Sequence, residues 1–233
     1  VRFVIGDLIR VSRDLSVSDG LCLALESSSV RASVALGRAG KVVFSAEIEA
    51  GRRPSEVLLE PLEQALSLLS GESIDLVVVG TGPGSYNGAR VGIAAGQGVA
   101  LVHGCPTIGV CSLEALAKVR AGGKCLALGD ARRGSFFSIE LCGGVLLGNP
   151  DIVGHEPFIQ KVSSASRLGV SLLTLEDPGR LKLPTEIEIE WGAPCAARLL
   201  EAWSAKSERE REVLLGIPPE PFYLRPPHIT QAR

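Results

Sequence analysis

The chain has 233 residues, 45% of them hydrophobic, which excludes a disordered polypeptide and allows one large domain or two small ones. Its formal net charge of −2 excludes an overall basic surplus for gripping a polyanion, while leaving a local patch open. No apolar run approaches the roughly 20 residues of a membrane span, no signal-peptide pattern opens the chain, and none of the six cysteines forms a C-x-x-C pair. The expectation is a cytoplasmic protein with buried free thiols.

Residues 1–19 carry no strong pattern and read as an N-terminal extension. From Leu21 the pattern is regular. "LCLAL" is a short buried strand, "RASVAL" alternates, and "KVVFSAEIE" follows the glycine turn "GRAG", predicting three strands joined by tight turns. In "RRPSEVLLEPLEQALSLLSG" the apolar residues Val57, Leu58, Pro61, Leu62, Ala65, Leu66 and Leu69 fall at helical spacing, with Ser55 as N-cap and Gly71 as stop. "IDLVVVG" is a buried strand. It runs into "GTGPGSYNGARVGIAAGQG", a glycine loop opening a helix.

"CLAL" occurs at Cys22–Leu25 and again at Cys125–Leu128. The second copy is followed by "GDARRG", "SFFSIEL", "GG" and "VLLG", the same scheme of strand, polar turn, strand, glycine turn and strand. The expectation is an α/β duplication, with two lobes, 20–118 and 119–233, facing across a cleft. Within 119–233, "VSSASRLGVSLLTLEDPGRLKLPTEIEIE" reads as two short strands and loops, and "APCAARLLEAWSAKSERERE" as one helix. A proline-rich tail ends the chain.

The glycine loop is not a Walker loop, because no lysine lies between Lys41 and Lys118. It misses G-x-G-x-x-G too, since the sixth positions from Gly80 and Gly82 are Ser85 and Asn87. A weak anion site at the helix N-terminus stays open. Gly88, Gly92, Gly96 and Ala100 recur every fourth residue on one helix face. Each interior glycine costs about 1 kcal/mol against alanine, so close packing must compensate. The approaching element is either this chain's own sheet or a helix of another subunit.

His103, His155 and His228 are isolated, with no H-x-x-x-H or H-E-x-x-H pair, so no metal site is expected. Pro83 and Asn87 stand where G-x-S-x-G around Ser85 needs glycine. The residues left for a weak anion or nucleotide cleft are Glu26, Ser27, Ser28, Gly84 and Ser85 on the first lobe and Asp130, Arg132 and Arg133 on the second.

These segments together resemble one family. "GPGSYNGARVGIAAGQGVAL", "GVCSLEALA", "DARRGSFF", "FYLRPP", "LALESS" and "SEVLLEPLEQAL" are similar, in order from residue 21 to about 230, to motifs of the bacterial TsaB family. The resemblance implies a duplicated actin-like (sugar kinase/Hsp70/actin, ribonuclease H-like) fold. It implies a non-catalytic partner of a TsaD-type threonylcarbamoyltransferase. With a TsaE-type ATPase, that pair forms threonylcarbamoyladenosine at position 37 of tRNAs reading ANN codons. It implies no cofactor of the chain's own, ATP being used by the complex, and only indirect contact with tRNA. A homodimer is implied when the partner is missing. The paralogues join through helices corresponding to 55–70 and 88–103. The expected interface therefore comprises Ser55, Glu56, Leu59, Glu63, Gly88, Arg90, Gly92, Ala95, Gly96 and Val99. The chain departs from the family at Glu26, Pro54, Asn87 and Ala89, where Asp, His, Thr and Leu are usual; the first weakens a nucleotide site and the others adjoin the interface. The competing expectation is an actin-like ATPase or small-molecule kinase, with a peptidase ranked last.

Overall fold

The computed structural model describes residues 20–49 and 57–224. Strands β1 (Leu21–Glu26), β2 (Arg31–Arg38) and β3 (Lys41–Glu49) form an antiparallel meander. Helix α1 (Leu59–Ser67) then returns the chain so that β4 (Leu76–Gly80) lies parallel beside β1. Helix α2 (Tyr86–His103) crosses over to β5 (Thr107–Val110), parallel to β4. The sheet order is β3-β2-β1-β4-β5. β4 reads LVVVG and is buried throughout, as a central parallel strand covered on both faces must be.

A 3₁₀ turn (Ser112–Ala115) and α3 (Ala117–Arg120) lead to β6 (Lys124–Asp130) and β7 (Ser135–Cys142). Next come β8 (Val145–Leu146), β9 (Asp151–Gly154), α4 (His155–Arg167), β10 (Ser171–Thr174) and β11 (Glu190–Trp191). This sheet runs β11-β10-β6-β7-β8, with β9 also on β7. β6 pairs antiparallel with β7 and parallel with β10, as β1 does with β2 and β4. The two "CLAL" copies thus occupy the same central strand of two like sheets.

α1 lies over β2 and β3 and α2 over β1, β4 and β5. They enclose Leu23, Leu25, Val34, Val77 and Val79 with Leu58, Leu62, Ile93 and Val99. The opposite face of this sheet is covered by α5 (Ala196–Ser204) through Ala196, Leu199, Leu200 and Trp203. That is a difference from the lobe 119–233 expected above: the helix after β11 returns to the first sheet. Residues 196–215 are also two helices, not one. Ser207 accepts from Glu210 N and Glu210 reaches back to Ser207 N, a capping box that starts α6 (Glu208–Leu215) afresh. Residues 162–167, expected to belong to a stretch of strands and loops, are instead the end of helix α4, which begins at His155 and buries Phe158 and Val162 at i and i+4. Of the six cysteines, only Cys125 and Cys195 are fully buried; all are free. Burial nonetheless pushes the Cys22 and Cys105 thiols up to about 11 and Cys111 to about 12.

Candidate functional site

Ser85 sits in an extended conformation before α2, and its hydroxyl accepts from Gly88 N at 3.1 Å, capping the helix. The glycine face that follows turns inward. A Cβ on Gly96 would collide with Cγ1 of Val79 and lie 3.2 Å from Val77 Cγ1. One on Gly92 would lie 2.6 Å from Ser27 Oγ, and one on Gly88 would strike the Ser27 carbonyl oxygen. The glycines therefore let α2 settle onto β4 and the end of β1, whose valines fill the space the helix leaves.

This corrects the expected interface at its glycines and at Val99. Gly88, Gly92, Gly96 and Val99 are buried against the chain's own sheet. Leu59, Glu63 and Arg90 are exposed, and Ala95 is half-buried. Ser55 and Glu56 lie outside the described residues. The outward face of α2 instead carries Arg90, Ala94, Gly98 and Val102 at four-residue spacing, with Leu101 beside them. Leu101 and Val102 are 84% and 82% exposed, and among the described residues nothing lies within 4 Å of a Cβ placed on Gly98. Leu59, on α1, is 62% exposed. The four-residue spacing was visible in the sequence; which of the two small-residue stripes faced out was not.

The expected cleft is closed on its first-lobe side. Glu26 is wholly buried; Ser28 N donates to its Oε1 and Ser112 Oγ to its Oε2, both at 2.6 Å. Ser112 Oγ in turn accepts from Gly82 N at 2.9 Å. Burial raises the Glu26 carboxyl above its ordinary value, against the lowering effect of these donors. Ser27 and Ser28 are buried too, and Ser27 Oγ donates to Gly88 O at 2.8 Å. This carboxyl is a joint between β1, the glycine loop and the link between the lobes, not a group presented to a ligand. Gly84 and Ser85 remain at the surface. Asp130, Arg132 and Arg133 form a separate corner on the second lobe, where Asp130 Oδ1 accepts from Arg132 N at 2.7 Å. Among the described residues no group of three or more His, Cys, Asp or Glu could hold a metal. His103 Nδ1 accepts from Ile74 N at 3.2 Å, and His155 Nε2 lies 3.3 Å from Lys182 O, so neither is paired with a serine.

The C-terminal tail crosses the same region. Phe222 N donates to Thr81 O at 2.8 Å, while Phe222 and Leu224 pack on the second-lobe core. Tyr223 lies 5.8 Å from Tyr86, ring to ring, and accepts a hydrogen bond from Arg90 Nη2 at 3.0 Å. The Arg90 guanidinium stands 4.0 Å over the Tyr86 ring.

Two like sheets in the order above, each with helices against it, define a duplicated actin-like α/β protein. The crystal structure of an uncharacterised Pseudomonas aeruginosa protein with similarity to peptidase YeaZ has this fold: TM-score 0.65, 24% identity, covering 88% of this chain and 100% of that one. Residues 48–172, more than half of the chain, match the family described as TsaD: tRNA N6-adenosine threonylcarbamoyltransferase, and the chain belongs to that family. It is a homologue of the Escherichia coli tRNA threonylcarbamoyladenosine biosynthesis protein TsaB, 34% identical over 125 residues, 51% of this chain and 53% of that protein. An uncharacterised Mycobacterium leprae protein is 34% identical over 114 residues, 49% of this chain and 31% of its own length. The chain thus spans about half the length of the curated relatives it matches, or less.

Proposed function

We propose that this chain is a non-catalytic docking subunit of the assembly that forms threonylcarbamoyladenosine at position 37 of tRNAs reading ANN codons. Its work is to bind and activate a TsaD-type transferase paralogue, in a cytoplasmic complex completed by a TsaE-type ATPase that uses the ATP. One observation carries the reading: the outward stripe of α2, where Gly98 leaves open backbone between Ala94 and the exposed Leu101 and Val102. A mid-helix glycine with no neighbour among the described residues weakens the isolated protein. It is accounted for when another helix closes on it, as small-x-x-x-small faces permit on steric grounds. Without the paralogue, the same face joins two copies of this chain. The buried, internally bonded Glu26 counts against the ATPase and kinase alternative.

Gly98→Leu tests it. The variant folds, because its side chain enters open space, and it loses co-elution with the TsaD-type partner. Gly98→Ala, a smaller obstruction, retains partial binding. Wild-type affinity in a folded Gly98→Leu protein sinks the assignment. ATP and magnesium bound and hydrolysed by the isolated chain, with loss on Glu26→Ala, would restore the enzyme reading.

A further inference from the structure

Helix α2 holds a single Lys, Arg, Asp or Glu side chain, Arg90. Two elements fix its guanidinium. Tyr86, one turn earlier on α2, lies beneath it, with the ring centre 4.0 Å away. Tyr223, on the C-terminal tail, accepts from Nη2 at 3.0 Å. The tail is itself anchored on both lobes: Phe222 N donates to Thr81 O, Pro219 lies against Gly109, and Phe222 and Leu224 pack on the second-lobe core. Yet the cluster faces solvent, with Tyr86 50% and Tyr223 40% exposed, and Arg90 has no carboxylate partner among the described residues. An exposed arginine ordinarily keeps its rotamer freedom in water. Here that freedom is already lost, and no described neighbour uses the charge.

The cluster marks one end of the outward stripe. From Arg90 to Val102 the helix rises about 18 Å, through Ala94 and the open Gly98 to the exposed Leu101 and Val102. One end is cationic, the middle is bare, and the other end is apolar. Two α2 helices from two copies of the chain match this poorly. Packed antiparallel about their midpoints, they set each Arg90 against Leu101 and Val102. Packed parallel, they set the two arginines together. Either way a desolvated guanidinium is left unpaired.

We propose that Arg90, held in place by Tyr86 and Tyr223, receives an Asp or Glu carboxylate from a helix of the TsaD-type paralogue, whose other end covers Leu101 and Val102 with apolar side chains. The proposal rests on the docking reading above and adds what the partner presents and which end of it meets Arg90. A guanidinium fork suits a carboxylate, and tyrosine and arginine are the residue types that dominate interface energetics. Tyr223 is a positioning residue: by holding the guanidinium before the partner arrives, it lowers the ordering cost of binding. The tail thereby sets the affinity of a face that α2 carries.

Isothermal titration of the full chain into the paralogue, repeated across a salt series, tests this. Arg90→Gln folds as wild type and weakens binding at least about tenfold, because the partner's carboxylate is buried without its cation. Its affinity also depends less on salt than that of the wild type, the mark of a lost charge pair rather than lost shape. Arg90→Lys keeps the charge without the fork and recovers only part of the affinity. Tyr223→Phe keeps the ring, loses the hydroxyl, and weakens binding several-fold with the salt dependence retained. Wild-type affinity in a folded Arg90→Gln protein overturns the proposal, as does a loss of affinity with unchanged salt dependence. If Gly98→Leu abolishes binding in the same series, the docking reading survives that failure; if both variants bind as wild type, both fall. Self-association tighter than the heteromer, lost on substituting the exposed α1 acids as Glu60→Gln/Glu63→Gln, assigns the carboxylate to a second copy and also overturns the proposal.

Discussion

Glu26 shows how one side chain changes role without changing place. It ends the central strand of the first sheet, where a carboxylate facing open solvent could serve a metal or phosphate. Here Ser28 N and Ser112 Oγ hold both of its oxygens in the interior. Burial favours the neutral acid, so the folded-state pKa lies above the unfolded one. The linkage sign follows: the folded state binds the extra proton, so this contribution is complete below the unfolded value of about 4.3 and declines as pH rises above it. Glu26→Gln keeps the shape and hydrogen-bonding capacity without the titration. Urea unfolding from about pH 5 to pH 8 should therefore fall less steeply for the variant, which equals or exceeds wild type at the upper end. A steeper wild-type gain in stability toward high pH would show that the group is ionised in the fold.

Helix α2 carries two small-residue stripes, and their chemistry separates only when neighbours are known. Gly96 faces Val79 and Val77, whereas Gly98 faces no other described residue. Alanine at 96 gains helix propensity but must displace valine methyl groups, so Gly96→Ala should destabilise by about 1–3 kcal/mol. Alanine at 98 gains the same propensity at no steric cost, so Gly98→Ala should stabilise by about 0.5–1 kcal/mol. Thermal melts of the two variants in the absence of partner decide this, and shifts of equal sign would mean that the faces are misassigned. The helix itself was legible as the element that the glycine loop opens; its Ser85 cap and its end at Gly104 came from the structure. Its orientation was not, because glycine reports that something approaches closely without saying from which side. Helix α4 was missed although Phe158, Ile159, Val162 and Ala165 face the core at helical spacing, because Ser163, Ser164 and Ser166 interrupt the apolar pattern over its last turn.

Across the whole molecule, the lobes are joined by more than their covalent link. α5 returns from the second sheet to cover the first, and the tail then passes Gly109 and Thr81 to pack Phe222 and Leu224 on the second-lobe core. One ion pair ties the segment just after α5 to the linking turn: Lys206 Nζ to Glu114 Oε2, 2.7 Å apart, with side chains only 10% and 9% exposed. Removing one partner leaves a buried charge alone. Lys206→Met should therefore cost about 3–5 kcal/mol in urea unfolding, and Lys206→Met/Glu114→Gln should recover much of it. A loss below about 1 kcal/mol would reduce the pair to the worth of a surface contact.

Legible along the chain were the strands and helices with strong periods, the internal duplication, the lack of a Walker lysine, and the family resemblance. These depend on local spacing, which a linear chain displays. Tertiary structure alone decided that Gly88, Gly92 and Gly96 serve the chain's own sheet, that Gly98 lies open, and that Glu26 is sealed by Ser112. It also decided that α5 belongs to the first lobe. Each of these depends on which surfaces meet: Ser112 reaches Glu26 across 86 positions, and Ser33 Oγ accepts from Ala196 N across 163. Such pairings leave no spacing to read, because packing of the two sheets and their helices brings them together.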